Sequence, residues 1–373
     1  MAKVTSLKDF KLLKENKVSS EETLFAKDLI IGCHPIALKL LKNLSKDTVE
    51  DVYLIHEFDF KNTIHLATPR LLRGEKAYQW LTTHHSDLKI EDQNLVTKFY
   101  KDGEKREFGG RVKPHEIREE EKFFLEKSYL FNESEFYGDY EDYAFLEKKH
   151  VKAFIKKITP MKLEELASRI HFQVELTDGR KFQCENLYCT LSPSSLVPLI
   201  DKERLSDFPQ SFYVYSNNCK PLPALYVEMT LKKEWEKDLS TLFIPQSQTH
   251  EWGSFIVEFS PYDSEKNSQH FGVFCYLNEA EMADNEEVAK KIRLMKRVLD
   301  RVYSGFEKQI LNEKITLSSD FYHANCEDSL FDSEKNSGSM NHFRLVHTAG
   351  PTALDAGLGS FSSLSRLLFN YFE

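Results

Sequence analysis

The residues with the most chemical promise lie at 27–57. Gly32 ends an apolar run, Leu29-Ile30-Ile31, and is followed by Cys33, His34 and Pro35 before a helical pattern carried by Ile36, Leu40, Leu41 and Leu44. A second apolar run over 52–55 closes on Glu57. In a β-α-β unit, a G-x-G-x-x-G turn lets the backbone bend and approach a pyrophosphate. The acid ending the second strand then hydrogen-bonds ribose hydroxyls. The three fingerprint positions here read Gly32, His34 and Ala37. The chemistry they suggest is the holding of a dinucleotide, with a side chain where the second glycine would stand.

A second suggestive stretch closes the chain. The residues over 343–350 predict a strand running into a turn at Gly350 and Pro351, and Gly357 and Gly359 open a helix with apolar positions Phe361, Leu364, Leu367, Leu368 and Tyr371. A glycine-flanked helix start leaves free N–H groups and a positive dipole end, which suits an anion or a polarised carbonyl. An ordinary terminal helix is the plainer account of the same residues.

Other candidates carry less. Gly109-Gly110-Arg111 follows a predicted hairpin instead of a buried strand, so it reads as a turn. Ser192-Pro193-Ser194-Ser195 is an ordinary helix start, with no companion histidine and acid for a nucleophilic serine. The six cysteines contain no C-x-x-C pair, and no histidine sits at metal-ligand spacing beside Cys184 and Cys189. No metal site and no catalytic residue is assigned.

The elements that must position these residues follow from periodicity. Residues 1–26 read as a polar leader, a surface helix or arm. Beyond Phe58 the pattern becomes irregular, with helical spacing at Ala77, Trp80 and Leu81, an extended stretch over 88–100 and an Asp102-Gly103 hairpin turn. The aromatic-rich segment 116–150 reads as an irregular cap layer. Alternation returns with a strand over 151–158, another over 170–176, a turn at Asp178-Gly179, and strands over 181–184 and 186–191. Strand candidates at 224–230, 254–259 and 271–277 predict a mainly antiparallel second sheet. A long helix then starts at a capping box, Asp284 with Glu287, and repeats through Val288, Ile292, Met295, Leu299, Val302, Phe306 and Ile310. Its Lys290, Lys291, Arg293, Lys296 and Arg297 read as a solvated face.

The chain has 373 residues, enough for two domains, and 41% apolar residues. Its 28 Phe and 16 Tyr predict aromatic core packing, with a cavity for a flat ligand as the alternative. A net charge of -9 and no basic patch interleaved with aromatics argue against nucleic acid as a partner. The first residues are too charged for a signal peptide, and no stretch approaches the roughly 18 apolar residues of a membrane helix. The expectation is a cytoplasmic protein with reduced thiols and no membrane span.

The order of these parts resembles the FAD-dependent amine oxidase superfamily, which includes monoamine oxidases, protoporphyrinogen oxidases and phytoene desaturases. The resemblance rests on the β-α-β unit ending in Glu57, the hairpin at Asp178-Gly179 with the following strand and its Ser-Pro turn, and the final strand, glycine turn and helix. It covers about 120 residues by our count of those three segments. It implies an α/β fold: a Rossmann-like FAD/NAD(P)-binding domain with a parallel sheet, plus a mainly antiparallel α+β substrate domain. The implied division is 1–60, 151–205 and 326–373 for the dinucleotide-binding-like domain, 61–150 for an insertion or cap, and 206–325 for the substrate-type domain.

Under this resemblance Gly32, Cys33, His34, Ala37 and Glu57 line the ADP half of FAD, and Gly350, Pro351 and Gly359 line the ribityl and flavin half. The walls of a reacting centre would come from about 212–277 and from the aromatic segment before 150. The departures are specific. His34 puts an imidazole where the backbone should approach the pyrophosphate, Pro35 removes an N–H, and Pro351 replaces an acid. Three readings follow. The first is an FAD-dependent oxidoreductase acting on a small molecule, the second a cofactor-free pseudo-enzyme that binds a protein partner, and the third a Rossmann-like enzyme using another nucleotide.

Overall fold

The computed structural model describes residues 23–32, 35–45, 51–60, 72–73, 75–84, 89–107, 117–125, 127–131, 140–161, 169–191, 193–207, 219–250, 252–324 and 342–345. In chain order the strands of a first sheet are β1 (Thr23–Ile31) and β2 (Val52–His56). A small three-stranded sheet takes β3 (Leu72–Arg73), β4 (Ile90–Leu95) and β7 (Ser128–Phe131), and between the last two runs a hairpin of β5 (Lys98–Lys101) and β6 (Glu104–Glu107). The first sheet resumes with β8 (His150–Lys152), β9 (Ile155–Pro160), β10 (Phe172–Leu176) and β11 (Lys181–Cys189). The second large sheet holds β12 (Cys219–Lys232), β13 (Leu242–Ile244), β14 (Phe255–Phe259), β15 (Ser268–Tyr276) and β16 (Ile310–Ala324), and β17 (Phe343–Leu345) returns to the first. The helices are α1 (Pro35–Leu44), α2 (Glu75–His84), α3 (Pro193–Leu196), α4 (Glu279–Ala283) and α5 (Asn285–Val302). No helix among the described residues is long and apolar enough to cross a membrane.

The first sheet runs β8-β2-β1-β11-β10-β9, with β17 also on β11. The pairs β8·β2, β2·β1, β1·β11 and β11·β17 are parallel, whereas β9, β10 and β11 form an antiparallel meander. β11 is the strand that joins the two patterns. Its first half pairs with β10 from Phe172↔Cys184 to Glu175↔Lys181, and its second half pairs with β17 from Leu187↔Phe343 to Cys189↔Leu345. The sequence suggested two strands here with a break near Glu185. The observed strand is continuous, because β1 lies parallel along its whole length from Thr23↔Lys181 to Ile31↔Cys189. For the same reason β1 begins at Thr23, inside the stretch expected to be a polar leader. The predicted strand over 151–158 is instead two strands broken at Ala153-Phe154, one leg pairing β2 and the other β10.

The second sheet is mainly antiparallel, in the order β16-β12-β15-β14-β13-β5-β6, and it includes the Asp102-Gly103 hairpin. Asp102 (φ 53°) and Gly103 (φ 88°) take the left-handed conformations that a two-residue hairpin turn requires. Alternation along β12 buries both faces. Leu225, Val227, Met229 and Leu231 pack with Leu294, Met295, Val298 and Leu299 of α5, whereas Ala224 and Tyr226 pack with Phe99, Phe124, Phe243, Phe274 and Tyr276. The second cluster carries much of the aromatic load of this half and is close-packed: Phe124 and Phe243 are fully buried, and the Phe124 and Phe274 ring centroids lie 5.2 Å apart. These aromatics are part of the buried core.

α5 differs from its prediction in two ways. Asp284 caps it, accepting from the Glu286 and Glu287 backbone N–H groups, while the reciprocal capping box lies one helix earlier, between Asn278 and Glu281. The helix also stops at Val302 instead of continuing to Ile310, because Gly305 (φ 79°) turns the chain into a short 3-10 segment and then into β16, a strand the periodicity did not predict.

Lys291 is buried as well, and not part of the solvated face: its Nζ donates to Glu281 Oε1 at 2.7 Å, tying α5 to α4. Replacing a buried cation that has one good partner leaves that partner uncompensated, although Glu281 retains some solvent access. Lys291→Met is therefore expected to cost about 2 kcal/mol in urea unfolding. A variant within a few tenths of the parent would show that the pair contributes nothing.

Candidate functional site

The carboxyl edge of β1, β2 and β11 is where an α/β sheet presents ligand-binding turns. At the end of β1, Gly32 adopts φ +105°, and its N–H donates to the Ile55 carbonyl of β2 at 3.0 Å. On the other side, Thr190 at the end of β11 donates its N–H (2.9 Å) and its hydroxyl (3.1 Å) to the Ile31 carbonyl. A Cβ on Gly32 would clash with Thr190 Oγ1 and press on Leu191 N at 3.1 Å. Glycine is thus required twice, for its backbone angle and for the close approach of β11.

α1 starts at Pro35, so the N–H that proline lacks is one an α-helix leaves unused within itself. Ala37, at the third fingerprint position, is fully buried, as is Leu40. A small residue here lets the first turn of α1 sit close on the sheet, the role the last fingerprint position has in a dinucleotide turn. Cys33 and His34 lie outside the described residues, as do Gly350, Pro351, Gly359, the predicted terminal helix and Gly109-Gly110-Arg111.

Glu57 directly follows β2 and is half-buried. Its flanking residues hold it in a tight turn, because the Phe58 N–H donates to His56 Nδ1 at 3.2 Å, closing a loop around Glu57. The His56 ring is buried and lies 4.2 Å, centroid to centroid, from that of His150, against which Phe60 packs at 5.7 Å. Burial first, and then the neighbouring His150, lowers the His56 pKa to about 4. His150 is lowered in the same direction by burial. Both rings are therefore neutral at pH 7, as the accepting role of His56 Nδ1 requires. Sequence reasoning found Gly32, Ala37 and Glu57, which the structure brings to one edge. It missed Thr190, His56 and His150. The one available signal was a histidine adjoining the acid.

A second imidazole pair lies elsewhere in the same sheet. His171 and His342 stack at 3.6 Å with nearly parallel rings, His342 Nδ1 is 2.9 Å from Asn186 Oδ1, and Asn186 Nδ2 donates to Asp28 Oδ1 at 2.9 Å. Burial raises the Asp28 pKa, and burial together with His342 lowers that of His171. This chain of contacts fastens the residue that precedes β17 to β1 and β11. Cys184, Cys189 and Cys275 are buried free thiols, and burial pushes Cys189 and Cys275 up to about 12, so none is a ready nucleophile.

No family model and no curated protein matches the sequence. Solved structures do match. A variant of putrescine oxidase aligns over 94% of this chain and 98% of its own at 9% identity, with a TM-score of 0.56. An oxidoreductase from Methanosarcina mazei aligns over 92% and 99% at 9% identity with a TM-score of 0.57, and cyclohexylamine oxidase from Brevibacterium oxydans IH-35A over 92% and 99% at 10% identity with 0.54. At these identities the matches establish a shared fold: a mixed α/β chain of parallel and antiparallel sheets, amine-oxidase-like in architecture.

Proposed function

We propose that this chain is an amine-oxidase-like oxidoreductase that holds the ADP half of FAD at the carboxyl edge of β1 and β2 and acts on a small-molecule substrate. The observation that carries this reading is the Gly32 turn, closed between Ile55 and Thr190, with Glu57 clamped at the end of the adjacent strand. Gly32 bends the chain toward α1, buried Ala37 draws the helix onto the sheet, and the carboxylate of Glu57 accepts from ribose hydroxyls. The N-terminal end of α1 faces the same turn and favours phosphate there. FAD, when bound, supplies hydride-accepting chemistry, and the protein supplies binding, orientation and shelter from water.

A titration of apo protein with FAD, followed by quenching of flavin fluorescence, tests the assignment. Glu57→Gln keeps the shape and removes the charge, and it is expected to weaken FAD binding about tenfold, the cost of one charge-assisted hydrogen bond. Equal affinities for parent and variant would remove Glu57 from the site.

The cofactor-free reading draws on one specific observation: packing against Thr190 alone explains why residue 32 is glycine, so the turn would persist in a protein that had lost its ligand. Under that reading neither parent nor variant quenches FAD, and the protein is recovered with a protein partner. For the third reading, melting temperatures measured with NAD, ATP and FAD would rise with one of the first two and not with FAD.

A further inference from the structure

Beside the second sheet, α5 borders a concavity of about 290 Å³ lined by His250, Trp252, Lys290, Arg293, Leu294 and Arg297. The four α5 residues share one face of the helix, spaced i, i+3, i+4 and i+7. Leu294 is buried and Trp252 half-buried, so they form an apolar floor, while Arg293, Arg297 and His250 stand exposed at the rim. The three lysines of α5 each have a carboxylate: Lys290 pairs with Glu287 at 2.6 Å, Lys291 with Glu281 at 2.7 Å, and Lys296 with Glu313. Arg293 and Arg297 have no ion-pair partner among the described residues. That is notable in a chain whose 59 acids outnumber its 50 Lys and Arg.

The described residues facing α5 are tied together by hydrogen bonds. Thr249, fully buried, donates its hydroxyl to the Gly253 carbonyl at 2.6 Å, His250 is held at φ +53° and Gly253 at φ +97°. A non-glycine residue in the left-handed region costs free energy that its surroundings must supply. Here the Thr249 turn supplies it, and the result is a His-x-Trp pair presented to two guanidinium groups.

We propose that this groove binds a phosphate monoester carried on a flat ring. Two neighbouring guanidinium groups match a dianionic phosphate by forked hydrogen bonding, Lys290 adds charge already shared with Glu287, and the Trp252 ring offers a face for stacking. The volume lies near the lower limit of small-molecule sites, so the ligand is compact. The site is separate from the dinucleotide turn and does not depend on it.

Calorimetry on the full chain with phenyl phosphate, inorganic phosphate and benzoate tests the proposal. Phenyl phosphate is expected to bind at least fivefold more tightly than either fragment. Arg293→Gln with Arg297→Gln should weaken it tenfold or more, and Trp252→Leu should abolish its advantage over inorganic phosphate. Glu57→Gln should leave all three affinities unchanged, which separates this groove from the FAD reading. Absence of binding by phenyl phosphate, or unchanged affinity in the double arginine variant, would overturn the site. Equal affinity for phenyl phosphate and inorganic phosphate in the parent would overturn the flat-ring part. Trp252→Phe, which keeps a ring over the floor, covers the case in which Trp252→Leu does not fold.

Discussion

Gly32→Ala is expected to destabilise the protein by about 3 kcal/mol or more in chemical denaturation, the sum of a strained backbone and a clash with packed atoms. At φ +105° an L side chain is strained whatever the space, and the space is filled by Thr190 Oγ1 and the backbone at 190–191. Thr190 has little room to withdraw, since its N–H and its hydroxyl both donate to the Ile31 carbonyl. Thr190→Ala removes the clashing hydroxyl and leaves the backbone contact, so the double variant should recover part of the loss, giving a coupling of about 1 kcal/mol in a double-mutant cycle. A Gly32→Ala protein as stable as the parent would mean that the β1 turn is not locked as described. Because the turn and Glu57 share the β2 edge, the same substitution should impair any ligand held there.

The second large effect is on pH dependence. His56, His150 and His171 all have folded-state pKa values below the ordinary 6.5, with His56 at about 4. The unfolded chain therefore binds protons that the folded protein refuses between pH 6.5 and about 4. Stability contributed by these rings is present above pH 6.5 and is lost as the pH falls through that window. His56 alone contributes about 2–3 kcal/mol. Asp28, which burial raises above 3.8, acts in the opposite sense. Urea unfolding should thus show a marked fall in stability between pH 7.5 and 5. His56→Asn, whose side-chain oxygen can still accept from the Phe58 N–H, should shallow the slope by about one proton, or 1.4 kcal/mol per pH unit. Equal unfolding free energies at the two pH values would show that His56 is not buried as the neutral imidazole.

Much of the architecture was legible because it is locally encoded. The Asp102-Gly103 and Asp178-Gly179 turns carry the residue types that positive φ demands. α1 follows from its apolar spacing, and the sheets follow from alternation. Features set by distant packing were not legible. The continuity of β11 depends on β1, more than 150 residues earlier in the chain. β16 hid its identity because, as an edge strand, it leaves Leu311, Ile315 and Leu317 exposed. Lys291 reads as solvent-facing by charge and is buried because Glu281, on another helix, meets it. At the candidate site, Gly32, Ala37 and Glu57 were visible through a motif whose spacing is local. Thr190 was not, since its contact with Ile31 spans 159 residues, and His56 and His150 gain their roles only when β2 and β8 lie side by side.

Gly32 has a structural reason of its own. Its glycine is explained by the sheet itself, so the residue is evidence for the fold first and for a ligand second. The ligand reading rests on the conjunction with Glu57, which His56 and Phe58 hold at the end of β2 with no comparable packing need for an acid. The most direct measurement is the visible absorption spectrum of the purified protein before and after incubation with excess FAD and removal of free flavin. The account predicts a yellow protein with retained flavin absorption and a raised melting temperature. A protein that stays colourless, with a melting temperature that FAD does not move, would contradict it.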